Sequence, residues 1–262
     1  VEKGAKMRGK SELMFVGFET FVHNQHIKIH MQSQESGTKH YYGEHGDYLS
    51  EHAQFLSDAD VEKDVAFLVK ALDLNKNQQI LDIACGQGRH VHALARHGYC
   101  VDGVDFSSHL LNLAKESMNQ NLICTPNFFQ SDVMELALEK KYDCAYWFFS
   151  DLANINLSKA LGSIGENIVV GGSFLLDTDN VFRLTNHLEK HPDSDLVFNA
   201  ERSELIDASH GLVVPYPTFE MWKELFSQAG FFIEQIYGDY QFGGYSTSSP
   251  RLIIVAKKIH SI

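Results

Sequence analysis

Ile80-Leu81-Asp82-Ile83-Ala84-Cys85-Gly86-Gln87-Gly88-Arg89-His90 is the stretch whose reading decides the fold. Ile80 to Ala84 is a short apolar run, read as a buried strand. Two glycines follow in a tight turn, then the first turn of a helix. Glycines leave room where side chains would block a ligand, and a helix N-terminus offers free N–H groups. No Gly-Lys-Ser/Thr follows the glycines, so the turn is not a phosphate cradle of the P-loop kind. The third glycine of a dinucleotide fingerprint would fall at Val91, which makes the stretch a poor match to that motif.

Strands and helices alternate outward from this point. Upstream, Asp60 reads as the N-cap of a helix reaching about Leu72, with Val61, Val65, Leu68, Val69 and Leu72 on its apolar face. Downstream, a helix runs from Arg89 to His97, and Gly98 suits its C-cap. Cys100 to Asp105 reads as the second strand, and Ser107 as the cap of a helix carrying Leu110, Leu111, Leu113 and Ala114. Asn127 to Gln130 and Asp143 to Phe149 read as the third and fourth strands. A helix follows near Ile155 to Val169. Gly171-Gly172 is expected to turn the chain into a fifth strand, Ser173 to Asp177. Such alternation predicts a doubly wound parallel sheet. The C-terminal pattern differs. A helix near Thr218 to Ala229 leads into the strand Phe231 to Tyr237, then a loop rich in Gly, Ser and Tyr, then the strand Leu252 to Ala256. Two strands joined without a helix run antiparallel, directly paired or with one inserted between neighbours. No repeat or Pro-rich linker divides the chain, so residues 41–262 read as one domain and residues 1–40 as an N-terminal extension.

The chain has 262 residues, of which 44% are hydrophobic, enough for one sizeable core. Lys and Arg number 22 against 34 Asp and Glu, a formal net charge of -12. That balance argues against a nucleic-acid partner, which needs a basic surface. Cys85, Cys100, Cys124 and Cys144 show no Cys-x-x-Cys spacing, and they read as reduced thiols of a cytoplasmic protein. His23, His26 and His30 cluster without an acidic or cysteine partner, so they read as a surface group and no metal site is expected. No apolar run reaches membrane-spanning length and no signal peptide is evident, so no membrane partner is expected.

Asp82 adds chemistry to the central stretch. A carboxylate inside a strand is costly unless it meets a cation or several N–H donors. A ligand with a cationic sulfonium and a free amino group would meet that requirement. The stretch resembles the first motif of the class I S-adenosylmethionine-dependent methyltransferases, Leu-Asp-x-x-Cys-Gly-x-Gly. The tail, Tyr237-Gly238-Asp239-Tyr240 and Ser249-Pro250-Arg251, is similar to that of small bacterial members. The resemblance implies an α/β, Rossmann-like, doubly wound seven-stranded sheet of order 3-2-1-4-5-7-6 with the last strand antiparallel. It also implies S-adenosyl-L-methionine as cofactor.

Ligands in such sheets lie across the carboxyl ends of the strands. The resemblance therefore puts the cofactor against Asp82, Ala84, Cys85, Gly86 and Gly88. Asp105, which can accept from a ribose diol or serve the helix after it, stands at the end of the second strand beside Phe106. Asp132 and Val133 would meet the adenine. Phe148 and Phe149 read as core, although the methionine end of the cofactor belongs beside that segment, with Phe148 as a contact. Many relatives have Asn-Ser-Phe-Gly-Tyr where this chain has Ser150-Asp151-Leu152-Ala153-Asn154.

Asp151 is the candidate catalytic residue. Asn154 and Tyr216 are expected near the substrate, with Asp177 and Asp179 as further acidic candidates. Tyr41, Tyr42 and Tyr48 are expected in an N-terminal lid, and residues 181–216 in a short cover, while His90 should pack at the start of its helix. The function expected is methyl transfer to nitrogen or oxygen of a small molecule. The alternatives are a non-catalytic cofactor-binding or interaction protein and a nicotinamide-linked oxidoreductase.

Overall fold

The computed structural model describes residues 38–46, 48–52, 57–118, 122–192, 195–208 and 211–260. The apolar patch Leu13 to Val22, the histidines 23, 26 and 30 and the polar run 32–37 lie outside them. A short helix α1 (Tyr48–His52) precedes the first long helix, α2 (Asp58–Ala71). The cap of α2 is Ser57, not Asp60. Ser57 has extended backbone angles, and its side chain accepts from the Asp60 N–H. Asp60 stands inside the first turn and accepts from Lys63 at 2.8 Å. An acid there suits the positive end of the helix, so the sequence holds two cap-like residues and the extended one caps.

The remaining elements follow in order. They are β1 (Gln79–Ile83), α3 (Arg89–Arg96), β2 (Cys100–Asp105), α4 (Ser108–Glu116), β3 (Phe128–Gln130), β4 (Tyr142–Trp147), α5 (Leu157–Glu166) and β5 (Ile168–Asp179). Then come α6 (Val181–Lys190), β6 (Leu196–Asn199), β7 (Glu204–Asp207) and β8 (Leu212–Pro215). Last are α7 (Phe219–Gln228), β9 (Phe231–Tyr237) and β10 (Arg251–Lys258). The main sheet has seven strands in the order β3-β2-β1-β4-β5-β10-β9. The pairs from β3 to β5 are parallel, and β10 runs antiparallel to both β5 and β9. Setting the cover strands aside, this is the expected 3-2-1-4-5-7-6 order with the final strand reversed.

Alternation along β1 divides the core in two. Ile80 faces Leu68, Val91, Leu94 and Tyr146 on the α2–α3 side. Leu81 and Ile83 face Trp147, Leu161, Ile164 and Phe226 on the α5–α7 side. Both faces of β1 are therefore covered, which is why its sequence reads as an apolar run broken only by Asp82.

Two further expectations are corrected. The fifth strand begins at Ile168, and the glycine pair lies within it. Tyr142 pairs with Ile168 while Cys144 pairs with Ser173, so extra residues of β5 bulge out, with Gly171 at φ +86°. The segment 181–216, expected as a short cover, holds α6 and a separate antiparallel sheet, β6-β7-β8. Cys100 and Cys124 form a disulfide with Cα atoms 5.2 Å apart, while Cys85 and Cys144 are buried thiols. The chain leaving α4 passes the first residue of β2, a proximity that sequence spacing does not reveal. The bridge spans 24 residues, and chain-entropy reasoning assigns such a loop about 3 kcal/mol. Reductant should therefore lower the urea midpoint of the wild type and leave a Cys124→Ser variant unmoved. Identical wild-type midpoints with and without reductant would contradict the bridge.

Candidate cofactor and acceptor site

β1 ends at a turn that few sequences can follow. Ala84, Gly86 and Gly88 all have positive φ, at +55°, +56° and +76°. A Cβ on Gly88 would meet Ala114 and Phe128 at 3.0 Å and His92 at 3.1 Å, so this glycine lets α3 pack closely. A Cβ on Gly86 would meet nothing nearer than a Leu110 methyl at 3.9 Å. Gly86 thus presents its α-carbon to open space. Its N–H donates to Asp105 Oδ2 at 2.9 Å, and the Cys85 N–H donates to the Val104 carbonyl at 2.9 Å. The turn is thereby fixed to the end of β2.

The acids of the site differ in their surroundings. Asp105 also accepts from the Ser107 N–H at 2.8 Å. Burial pushes its carboxyl up, and the Ser107 and Gly86 N–H groups act against that. Asp105 serves the local backbone, and it also lines the large cavity described below. Ser107 itself caps α4 through its side chain. Asp132 accepts from the Met134 N–H at 2.8 Å, which closes a short 3-10 turn over Val133–Glu135. Asp82 is almost fully buried, and its Oδ2 has no hydrogen-bond partner among the described residues. Burial drives its carboxyl well above the ordinary range, while Tyr146 and Arg89 favour the charged form.

A cavity of about 1190 Å³ lies at the carboxyl ends of β1, β2 and β4. Of the residues expected at the site, it is lined by Ala84, Gly86, Asp105, Phe106, Asp132 and Val133. Asp151, Asn154, Tyr42, Tyr48 and Tyr216 line it as well. Asp82, Cys85 and Phe148 instead border a small adjoining cleft, shared with Gly86, Arg89 and His90. Gly88 borders neither and packs beneath the turn.

The N-terminal segment crosses the mouth of the cavity. The Tyr42 carbonyl accepts from Ser107 Oγ at 2.7 Å, its ring meets Phe106 edge-on at 5.5 Å, and its hydroxyl donates to Asp151. Asn154 joins this segment to the cover. Its side chain donates to Thr38 Oγ1 at 3.2 Å, and its backbone N–H donates to the Val213 carbonyl of β8 at 2.9 Å. Burial and the Asp151 charge hold the Tyr42 hydroxyl far above its usual range, so it stays protonated and keeps donating.

Asp177, offered by sequence as an acidic candidate, is fully buried and engaged on both oxygens. It accepts from the Phe149 N–H at 2.9 Å, Tyr240 at 3.0 Å and Arg251 Nε at 2.8 Å. Asp179 does line the cavity, where it pairs with Arg251. Phe148 is core, as expected, but Phe149 is 42% exposed and lines the cavity. Its φ of +52° turns the ring out of the strand pattern that suggested burial. Sequence reading also missed Glu204 of β7 and Arg89, both on the cavity wall. Arg89 had a signal, since it begins the helix after the glycine turn. Glu204 had none.

These residues fit a nucleoside bearing an amino acid and a positive charge. A buried acid faces the cleft beside the glycine turn, and two further acids close neighbouring strands. A family model described as a methyltransferase domain matches residues 80–172. The chain is 24% identical to a methyltransferase-family protein of Geobacillus sp. (strain WCH70), over 69% of this chain and 85% of the relative. The CcbJ methyltransferase of Streptomyces caelestis shares the fold with a TM-score of 0.63 at 17% identity, covering 85% of this chain and 99% of that one. An S-adenosylmethionine-dependent methyltransferase of Clostridium acetobutylicum gives 0.61 at 15% identity, covering 77% and 93%. Fold and site together define a Rossmann-like enzyme of the methyltransferase architecture. Residues 80–172 form a methyltransferase domain, and the cofactor that this domain and fold imply is S-adenosylmethionine. The sheet order and the domain match favour a methyltransferase over the nicotinamide-linked alternative.

Proposed function

We propose that this enzyme methylates nitrogen or oxygen of a small molecule, with an amine as the favoured acceptor. The observation that carries this reading is that Asp151 and Asp179 line the cavity beyond the cofactor residues and both act on Tyr216, with Glu204 on the same lining and Arg251 paired to Asp179. A cationic amine is drawn to the Asp151 carboxylate, whereas a polyphosphate backbone is repelled by the chain's net charge of -12.

The positions of Asp82, Asp105, Phe106, Asp132 and Val133 around the cavity and the adjoining cleft support their cofactor-holding roles. Asp82 takes the amino group, Asp105 the ribose hydroxyls and Asp132 with the Val133 amide the adenine. Phe106 supplies an apolar wall. S-adenosylmethionine, when bound, supplies a methyl group on a sulfonium, which is electrophilic without further activation. The chain's task is alignment and exclusion of water. An amine must lose its proton to become a nucleophile, and a hydroxyl needs a base. Asp151 is the group for both tasks, since Tyr42 holds its carboxylate at the cavity wall. Tyr41, Tyr42 and Tyr48 act as the lid and residues 181–216 as the cover of this space.

The test uses radiolabelled S-adenosylmethionine with a panel of small amines and phenols, alongside total RNA and plasmid DNA. Label should enter the small molecules. On the acceptor so found, Asp151→Asn should lower kcat at least tenfold while calorimetric affinity for S-adenosylhomocysteine stays within threefold. Full turnover in that variant removes Asp151 from the reaction. Robust labelling of RNA or DNA overturns the substrate class.

A further inference from the structure

Asp82 and Tyr146 face each other across the β1–β4 pairing, as register partners in neighbouring parallel strands. Both side chains are buried, Asp82 at 2% and Tyr146 at 0% exposure. The Asp82 Oδ2 and the Tyr146 hydroxyl both lack a hydrogen-bond partner among the described residues. Two buried polar groups left unsatisfied side by side are expensive, and the cost needs a reason. Packing alone would be met by phenylalanine, since the ring sits among Ile80, Val91 and Phe148 in the α2–α3 core. The hydroxyl is thus an addition that packing does not require. Asp82, unlike Tyr146, also borders the cleft beside Gly86 and Arg89.

We propose that Tyr146 is a positioning residue for Asp82, its hydroxyl closing onto the carboxylate when the cofactor's amino group is bound and steering it toward the cleft. This rests on the reading that Asp82 receives that amino group. Tyr146 touches neither reacting atom and acts only through its neighbour. Its hydroxyl and the Asp82 carboxylate lie close enough to influence each other's ionisation, the hydroxyl favouring the carboxylate form.

Every element around Asp82 contributes to its ionisation. Arg89 from α3 favours the carboxylate, and Asp105 from β2 opposes it. Tyr48 from α1 and the Cys85 thiol interact with it too. His90 borders the same cleft, is buried, and hydrogen-bonds Asp64 of α2 at 3.1 Å. Burial lowers the His90 pKa despite Asp64, so this ring is biased toward neutrality. With the Asp82 carboxyl raised, affinity for a cationic amino group should climb with pH as Asp82 ionises. Removing the hydroxyl raises that carboxyl further, so the climb should move to higher pH.

The experiment is titration calorimetry of S-adenosylhomocysteine from pH 5.5 to 8.5 with wild type, Tyr146→Phe, Asp82→Asn and the double variant. At the low end Tyr146→Phe should bind about tenfold more weakly than wild type, and the gap should narrow at the high end. In the Asp82→Asn background Tyr146→Phe should change affinity less than twofold. A uniform loss at every pH, or an equal loss in both backgrounds, overturns the positioning role and leaves the cofactor reading intact. Absence of wild-type binding at every pH overturns the cofactor reading and the proposal with it. Should Tyr146→Phe not fold, Tyr146→Met serves as the second hydroxyl-free variant, read against the same outcomes.

Discussion

Gly86→Val should lose at least 100-fold in affinity for S-adenosylhomocysteine while keeping its fold. Two properties of Gly86 lead there. Its φ of +56° is left-handed, which costs a side-chain-bearing residue roughly 1–2 kcal/mol. Its Cβ direction is open, with one methyl at 3.9 Å, so added atoms enter the ligand space and not the core. The fold therefore bears only the backbone cost, while the ligand meets the branched side chain. A hundredfold loss corresponds to about 2.7 kcal/mol. Gly86→Ala separates the contributions, since it carries the same backbone cost with a smaller volume, and it should bind between the two. Circular dichroism and a urea melt establish the fold, and calorimetry reads the affinity. Affinity unchanged in Gly86→Val would place the cofactor elsewhere.

Arg251→Ala should destabilise the chain by about 3–5 kcal/mol, the usual cost of leaving one member of a buried ion pair alone. Arg251 Nε holds Asp177 Oδ1 at 2.8 Å, and the Asp177 side chain is completely buried. Asp177 also receives the Phe149 N–H, so the pair fixes the loop that carries Asp151. The deficit should depend on pH with a definite sign. Burial already raises the Asp177 carboxyl, and Arg251 opposes it. Without Arg251 the folded-state pKa rises further above the unfolded value, and the folded state then binds more protons than the unfolded one. Stability of the variant should fall as pH rises and recover as pH is lowered. Urea melts at pH 5 and pH 8 check this. A deficit under 1 kcal/mol, or one that grows in acid, would contradict the account of the pair.

The contrast between these two residues shows what the sequence made legible. Gly86 was readable because its signal is local, a strand running into glycines and then a helix within eleven residues. The same holds for Asp105 and Asp132, which stand at strand ends. Arg251 and Asp177 were not readable as a pair. They meet only because β10 lies antiparallel to β5 with Arg251 opposite Asp179 and Ile253 opposite Asp177, a register no short window contains. The cover strands β6, β7 and β8 escaped notice for another reason. Each has four residues and is mostly half-buried, so none shows the alternation that marks a strand with one face inside. Phe149 was misread because an aromatic at a strand end usually packs inward, and only its left-handed backbone turns it to the cavity.

The central claim is that the cavity at the strand ends holds S-adenosylmethionine. Titration calorimetry of the wild-type chain with S-adenosylhomocysteine and, separately, NAD tests it most directly. The account predicts one-to-one binding of S-adenosylhomocysteine, weakened at least 100-fold by Gly86→Val, and no heat from NAD. Binding of NAD with no response to S-adenosylhomocysteine would contradict it.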